Sequence, residues 1–597
     1  MKVFKISVVL AVVAVCQLAA AQSAQVAAAP QVRSIVELYQ DNRKRGLPNF
    51  VTPDLLVVAY ADLSRRDLKI RESLIARALD EWVSSLTSVI ADSTEDMPAV
   101  DLIQVLAALS GKSVKASSVA AEEIAKVDAA EGIAISPLLA VNVDYSQFRP
   151  RGFYAESDEL ARYFKTLRYC NSILFHAHPS AATGVTAEIV AHHMGILTDL
   201  LRLGGAENGY EALVEVATNQ KTVEDISLSE VASMDLASPL APQILEYAAI
   251  NDRFPTVYSG YVDRTGLAEG ETVAQVLLGA RILPGTVTAD VQAMQALVTD
   301  SGAWRGEGEL PFTAAMSGSG VVKGWPSAAE VLAAMGADSA AQSAELSGDD
   351  DFEFYATLIE HARSYFNDLT EMEAARWGAL TELADLDGDS EQNLASAKAF
   401  WTLVRYENLL YAKQGYTPVD RSLGSFLDRQ GSTLMPASGF YRSLITLVEN
   451  RGRGTVDEAM STKWEEFGVL VGLLLQMSEA LDSGTELTAE QEDTLADIDL
   501  TLKRLNIDAD LPIVVDVHTH PGEAQVLEQA TGWPEIVTIN EARGARLTHW
   551  EFKQPIQERL TDTEWRDMLA EQSKENDRSS SSSVDKSLTE DESAVES

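Results

Sequence analysis

The densest chemistry in the chain stands near its end, in Asp516-Val517-His518-Thr519-His520-Pro521. On a regular strand alternate side chains share a face. Asp516, His518 and His520 would then point the same way, and a carboxylate with two imidazoles is a donor set for zinc. His549 follows two strand-like runs later and extends the metal set to His518, His520 and His549. If the site is catalytic, Asp516, His518 and Glu551 are its acid–base residues. The plainer reading is a hydrogen-bonded Asp516–His518 corner at a strand end, with His520 facing solvent. That reading is favoured, because His-x-His pairs arise often by chance. A metallohydrolase barrel is excluded by length. Such a barrel needs roughly 200 residues beyond its first strand, and only 77 follow His520.

Other stretches carry chemistry-capable residues with weaker spacing. Four of the eight histidines, His176, His178, His192 and His193, fall within 18 positions. On a helix neither adjacent pair shares a face, since metal-binding pairs there are four apart. One residue from each pair meeting is the lesser expectation. Asp385, Asp387 and Asp389 alternate like a calcium loop, yet Ser390 and Ser396 replace its turning Gly and closing Glu. An acidic turn between helices is the better expectation, so zinc and calcium are the cofactors these patterns allow without requiring. Nucleophile elbow, phosphate loop and dinucleotide fingerprint are all missing.

The elements that must position these residues are mostly helical. Apolar positions recur at helical spacing over 71–90, 157–174, 351–369, 396–413 and 465–481, with Ser157 as a cap and Asp158 and Glu159 at the positive end of its helix. After about residue 500, PIVVDVHT, WPEIVTINE and ARLTHWEF read as short strands. SGSGVVKGWP (317–326) and RGRG (451–454) read as loops. The expected architecture is therefore mainly α: a helical body over 34–500, a small strand-containing α/β element over 501–570, and an acidic Ser-rich tail over 571–597 too polar to order itself. Cys170 is expected to pack on the 157–174 helix rather than react.

Composition narrows the partners. The chain has 597 residues, 46% of them hydrophobic, enough for about three to five domain equivalents of core. Its 47 basic and 90 acidic residues give a net charge of −43. Phosphate backbones are displaced by such a surface, so nucleic acid is excluded as a partner. Lys2 and Lys5 precede an apolar run from Ile6 to Cys16, and Ala19-Ala20-Ala21 supplies small residues for cleavage after Ala21. A periplasmic or secreted protein follows, with residues 22–33 as a linker. Val15 argues against lipid attachment at Cys16, and no transmembrane segment is expected in the mature chain.

Several longer stretches resemble a known family. DYSQFRPRGFYAESDELARYFKTLRY (144–169), VRYENLLYAKQGYT (404–417), SGFYRSLITLVENRG (438–452) and the terminal VVDVHT, WEF and RLTDTEW are similar in order and spacing to exported prokaryotic proteins catalogued as domain of unknown function thirty-one sixty. The resemblance runs over roughly 45–570. It implies departures at Phe153 and at Tyr406-Glu407, where members often carry His and His-Asp. It also implies that the retained Asp144, Tyr145, Arg149, Arg151, Arg405, Lys413 and Gln414 either line a polar ligand cleft or form buried ion pairs that hold the fold.

Two functions remain open at this point. One is a non-catalytic binding or structural protein with a polar cleft and an unknown ligand. The other is an extracytoplasmic hydrolase acting on glycans or peptides.

Overall fold

The structure, a computed structural model, describes residues 34–572 except residues 208, 368 and 540 and the stretches 92–96, 219–221, 259–261, 264–265, 300–301, 318–319, 411–431 and 508–510. The expected signal peptide, Cys16, the linker, the tail from residue 573, and Lys413 and Gln414 lie outside the described residues.

Helices carry most of the chain, as expected. The longest, α1 (Pro53–Ile90), opens on Thr52-Pro53, with proline at a first-turn position where no N–H is needed. Next in the frame is α2 (Asp158–Ser172), whose cap Ser157 accepts from the Leu160 N–H at 3.2 Å. Short helices α3 (Ala289–Ala296) and α4 (Ala328–Met335) precede α5 (Glu371–Ala384), α6 (Ser390–Glu407), α7 (Ser438–Gly454) and α8 (Glu458–Asp482). The most extensive packing runs from α5 through α7 to α8. One continuous apolar core reaches from Ile35 to Leu547 and encloses Trp82, Trp401 and Trp464. Cys170 is buried within it.

Three local expectations need correction. RGRG forms the last turn of α7 rather than a loop, because Arg451 is held there by Glu407 and Tyr60. Within 317–326, Gly320–Lys323 is a strand that pairs with Ala314–Ser317. The helix expected over 351–369 is shortened to Tyr355–Ser364. The acidic turn is a turn: Asp385 accepts the Asp338 and Ser339 N–H groups at 2.9 and 2.8 Å, and Asp389 caps α6 through the Gln392 N–H at 3.1 Å. The Asp385 and Asp389 carboxylates are thus engaged as helix caps.

The region after residue 500 forms β1 (Val514–His520), β2 (Gln525–Thr531), β3 (Glu535–Ile539), β4 (Ala542–Arg546) and β5 (His549–Pro555). Strands β1, β2 and β5 make an antiparallel sheet with β2 in the middle, while β3 and β4 are a separate hairpin. That hairpin reaches the start of the chain. Asn42 donates to the Arg543 carbonyl, Arg543 N–H to the Pro48 carbonyl, and a Cβ on Gly544 would meet the Phe50 carbonyl oxygen at 2.3 Å.

Each face of the three-stranded sheet has its own cover. Val514, Ala530, Trp550 and Phe552 pack against Trp565 and Leu569 of a final helix over 562–572. Val515 and Leu527 join the main core, and α6 lies against all three strands.

Candidate functional site

A β-bulge decides what the DVHTHP stretch can do. Asp516 pairs with Glu528 but His518 pairs with Leu527, so one extra residue of β1 is accommodated between them. Directly opposed residues in an antiparallel pair share a face, and neighbours on one strand do not. Asp516 is thereby turned to the face of Glu528, and His518 and His520 to the other. The expected one-sided triad does not form. His549 is on the His518 side, but pairs with Thr531, four register positions from Leu527, or roughly 13 Å along the strands. Among the described residues no group of three or more His, Cys, Asp or Glu side chains is placed to hold a metal ion.

On the Asp516 face the chain builds a buried ion network. Asp516 meets Arg151 Nε at 2.5 Å and Nη2 at 3.0 Å, and also takes the Arg559 guanidinium. Arg559 reaches on to Asp144 at 3.3 Å, Ser146 Oγ at 3.1 Å and Thr519 Oγ1 at 3.1 Å. Arg149 ties the rim, donating to the Arg559 carbonyl at 2.5 Å and to Glu564 at 2.6 Å. Arg151, Asp516 and Arg559 are at most 2% exposed. Two guanidiniums around one carboxylate satisfy charge and hydrogen bonds together, which is what allows burial.

Glu528, also fully buried, has its carboxyl pushed up to about 8 by burial, with the neighbouring Asp516 adding to the rise and the Leu560 N–H and two arginines opposing it. A carboxyl protonated at neutral pH is the profile of a general acid. Complete burial keeps it from substrate in this conformation, so its evident role is a neutral hydrogen-bonding filler beside Asp516.

The opposite face is polar but closely packed. His518 is fully buried, and burial first, then the nearby His520 and Arg405 charges, holds its imidazole neutral. Arg405 pairs with Asp290 at 3.3 Å, and the same carboxylate takes the Trp401 indole N–H at 3.1 Å. His520 lies over Trp325 with centroids 5.2 Å apart. Glu551 accepts from the Ala328 N–H at 3.0 Å, at the start of α4, and from Gln529 at 2.5 Å; Gln529 in turn holds His549 at 2.6 Å. Tyr145 sits elsewhere, giving its hydroxyl proton to the buried Glu123 at 3.0 Å.

The histidine clusters meet after all. Phe175–His176 is a strand, not helix, and the His176 N–H donates to His193 Nδ1 at 3.0 Å while His193 Nε2 donates to the Leu139 carbonyl at 2.7 Å. Both ring nitrogens of His193 are thus committed in its neutral form. Burial lowers both, His176 to about 3 with the His193 charge adding to the fall and His193 to about 4 with the His192 charge adding.

A different place has the character of a ligand site. A cavity of about 80 Å³ opens where α1, α5 and the ends of α6 and α7 converge, room for about five waters. Ser64, Asp67, Leu68 and Arg71 recur at helical spacing on the α1 wall, and Arg376 enters from α5. Glu407 closes one side through its ion pair with Arg451, whose Nε meets Tyr60 Oη at 3.1 Å. Ser64, Thr288 and Arg376 line it, and Ser64 Oγ, Thr288 Oγ1 and Arg376 Nε are buried without a hydrogen-bond partner. Glu407 and Arg451 come from two of the stretches that carry the family resemblance.

The sequence profile described as protein of unknown function (DUF3160) matches residues 17–579. The chain belongs to this family. No curated protein and no solved structure matches it. For this DUF3160 member, then, the recurrent segments are brought into two assemblies, the Asp516 network and the Arg451 side of the cavity. Sequence reasoning selected Asp144, Arg149, Arg151 and Asp516 together, and they do meet. It missed Arg559, Glu528, Ser64, Arg71 and Arg376. Arg559 is the first residue of RLTDTEW, one of the stretches that carry the family resemblance, and was within reach. Arg376 had one signal, a cation between Ala375 and Trp377 in an apolar stripe that continues through Ala379 and Leu380.

Proposed function

We propose that this is an exported, non-catalytic binding protein whose small ligand sits in the polar cavity between α1, α5, α6 and α7. The observation carrying this reading is the convergence of unpartnered buried donors on one cavity, where buried polar groups elsewhere in proteins find partners. Residues 501–570 act in it as a small α/β brace: their ion network with residues 144–151 and their hairpin with residues 42–50 join the two ends of the body. Support for export is the Lys2/Lys5, apolar run and Ala19–Ala21 pattern. No helix among the described residues is long and apolar enough to cross a membrane. A hydrolase built on Asp516 and His518 has less support, since the two lie on opposite faces of the sheet and both are buried.

The test uses the chain from Gln22, purified without a histidine tag. Melting shifts against a panel of small polar compounds are expected to include binders, and their effect to vanish when the cavity is filled by Ser64→Leu. Elemental analysis of the same preparation, beside His518→Ala/His520→Ala, is the opposing arm. A stoichiometric transition metal lost in that variant would return the argument to the DVHTHP stretch.

A further inference from the structure

Resting on the cavity reading above, we infer that the ligand is an anion, and that a carboxylate, phosphate or sulfate group is held by Arg376 and Arg71. Arg376 is 7% exposed. Its Nε has no hydrogen bond, and the guanidinium forms no ion pair among the described residues; it lies 5.7 Å from the Trp377 ring centre. Arg71, half-buried on the facing wall, is also without an ion pair among the described residues. An uncompensated buried charge is costly, so buried cations are normally matched. The arginines of the sheet network in this same chain follow that rule. Arg376 departs from it in a side chain that lines the cavity.

The acidic groups nearby are already engaged. Glu407 is taken by Arg451, Asp67 by Thr455, and Glu373 by its own helix cap at Thr370. Helix ends do not decide the sign, because α3 and α5 begin at the cavity while α6 and α7 end there. The side chains decide it. Two guanidiniums without an ion pair among the described residues, with Ser64 and Thr288 hydroxyls beside them, offer donors to an oxyanion in a lining whose Asp67 and Glu373 carboxylates are held by hydroxyl donors. Guanidinium forks suit planar or tetrahedral oxyanions in particular.

The experiment follows melting and calorimetric titration of the chain from Gln22 with sodium phosphate, sulfate and succinate, each against chloride at equal ionic strength, and with glucose as a neutral probe. Phosphate with sulfate, or succinate, is expected to raise the parent's melting temperature by several degrees, and which of them does so separates a phosphoryl-type ligand from a carboxylate. Arg376→Met should lose at least tenfold in affinity, Arg376→Lys less, while ligand-free Arg376→Met melts at or above the parent because an unmatched charge has gone. Equal oxyanion effects on parent and Arg376→Met, or none on the parent, would overturn the assignment. Stabilisation by glucose alone, abolished by Ser64→Leu or by Asn450→Phe should the first fail to fold, would overturn the anion and leave the cavity reading standing. If no probe responds to either filling variant, both readings fail.

Discussion

Two groups of buried arginines are built to opposite rules. At the sheet, Arg151 and Arg559 close on Asp516 and Asp144, and their charges are balanced from within the chain. At the helical cavity, Arg376 is 7% exposed and has no ion pair among the described residues, and Arg71 lines the same cavity. A charge satisfied internally holds a fold together, whereas a charge left unsatisfied beside a void is poised for something outside the chain. Under the proposed reading, the Asp516 network is scaffold and the arginines at the cavity are where a ligand would be held.

The comparison is broken most directly at Asp516. Asp516→Ala leaves two buried guanidiniums and the Asp144 carboxylate, which among the described residues pairs with Arg559 alone, and is expected to cost about 3–5 kcal/mol in urea unfolding; a loss below about 1 kcal/mol would mean the network is no better matched than Arg376. Glu528 supplies a pH signature. Its folded value of about 8 lies above that of an unfolded glutamate, so its contribution is present below about pH 4.5 and is lost as pH rises toward 8. Glu528→Gln should therefore gain on the parent across that interval in melting scans and hold a constant lead above it; parallel curves would show that Glu528 ionises freely.

The His176–His193 pair works with the reverse sign. Both are depressed, so their contribution is whole above about pH 6.5 and is lost as pH falls toward 4 and 3. His176→Phe is expected to flatten the acid limb of the melting curve between pH 6 and 4, and an unchanged limb would place the acid sensitivity elsewhere. Smallest of the set is Arg149→Ala. Its Glu564 partner is 44% exposed, so the loss should stay within about 1 kcal/mol by urea titration, despite membership of the same motif. A larger loss would extend the saturated network to its rim.

Much of the fold was legible. The helices containing 71–90, 157–174 and 465–481 follow from apolar spacing and caps, because an amphipathic stripe has only one way to be buried. The strand pattern after residue 500 was legible for the same reason. What failed was local parity. Nothing in VVDVHTH announces that an extra residue will be absorbed after Asp516, because a bulge is set by what the partner strand and the covering helices require. The histidines at 176 and 193 met for a comparable reason: a two-residue strand pairs with Gly279-Ala280, a hundred residues away.

By itself the sequence determined the mainly α class, the acidic surface, the family and the residue types available for chemistry, since these depend on composition, period and local capping. Tertiary structure decided which of those residues are spent. It put Asp516 and His518 on opposite faces, gave Asp516 two arginines and left Arg376 without an ion pair among the described residues. Matching of buried charges depends on pairs hundreds of positions apart, such as Arg151 with Asp516, and no local pattern encodes where such partners will be missing.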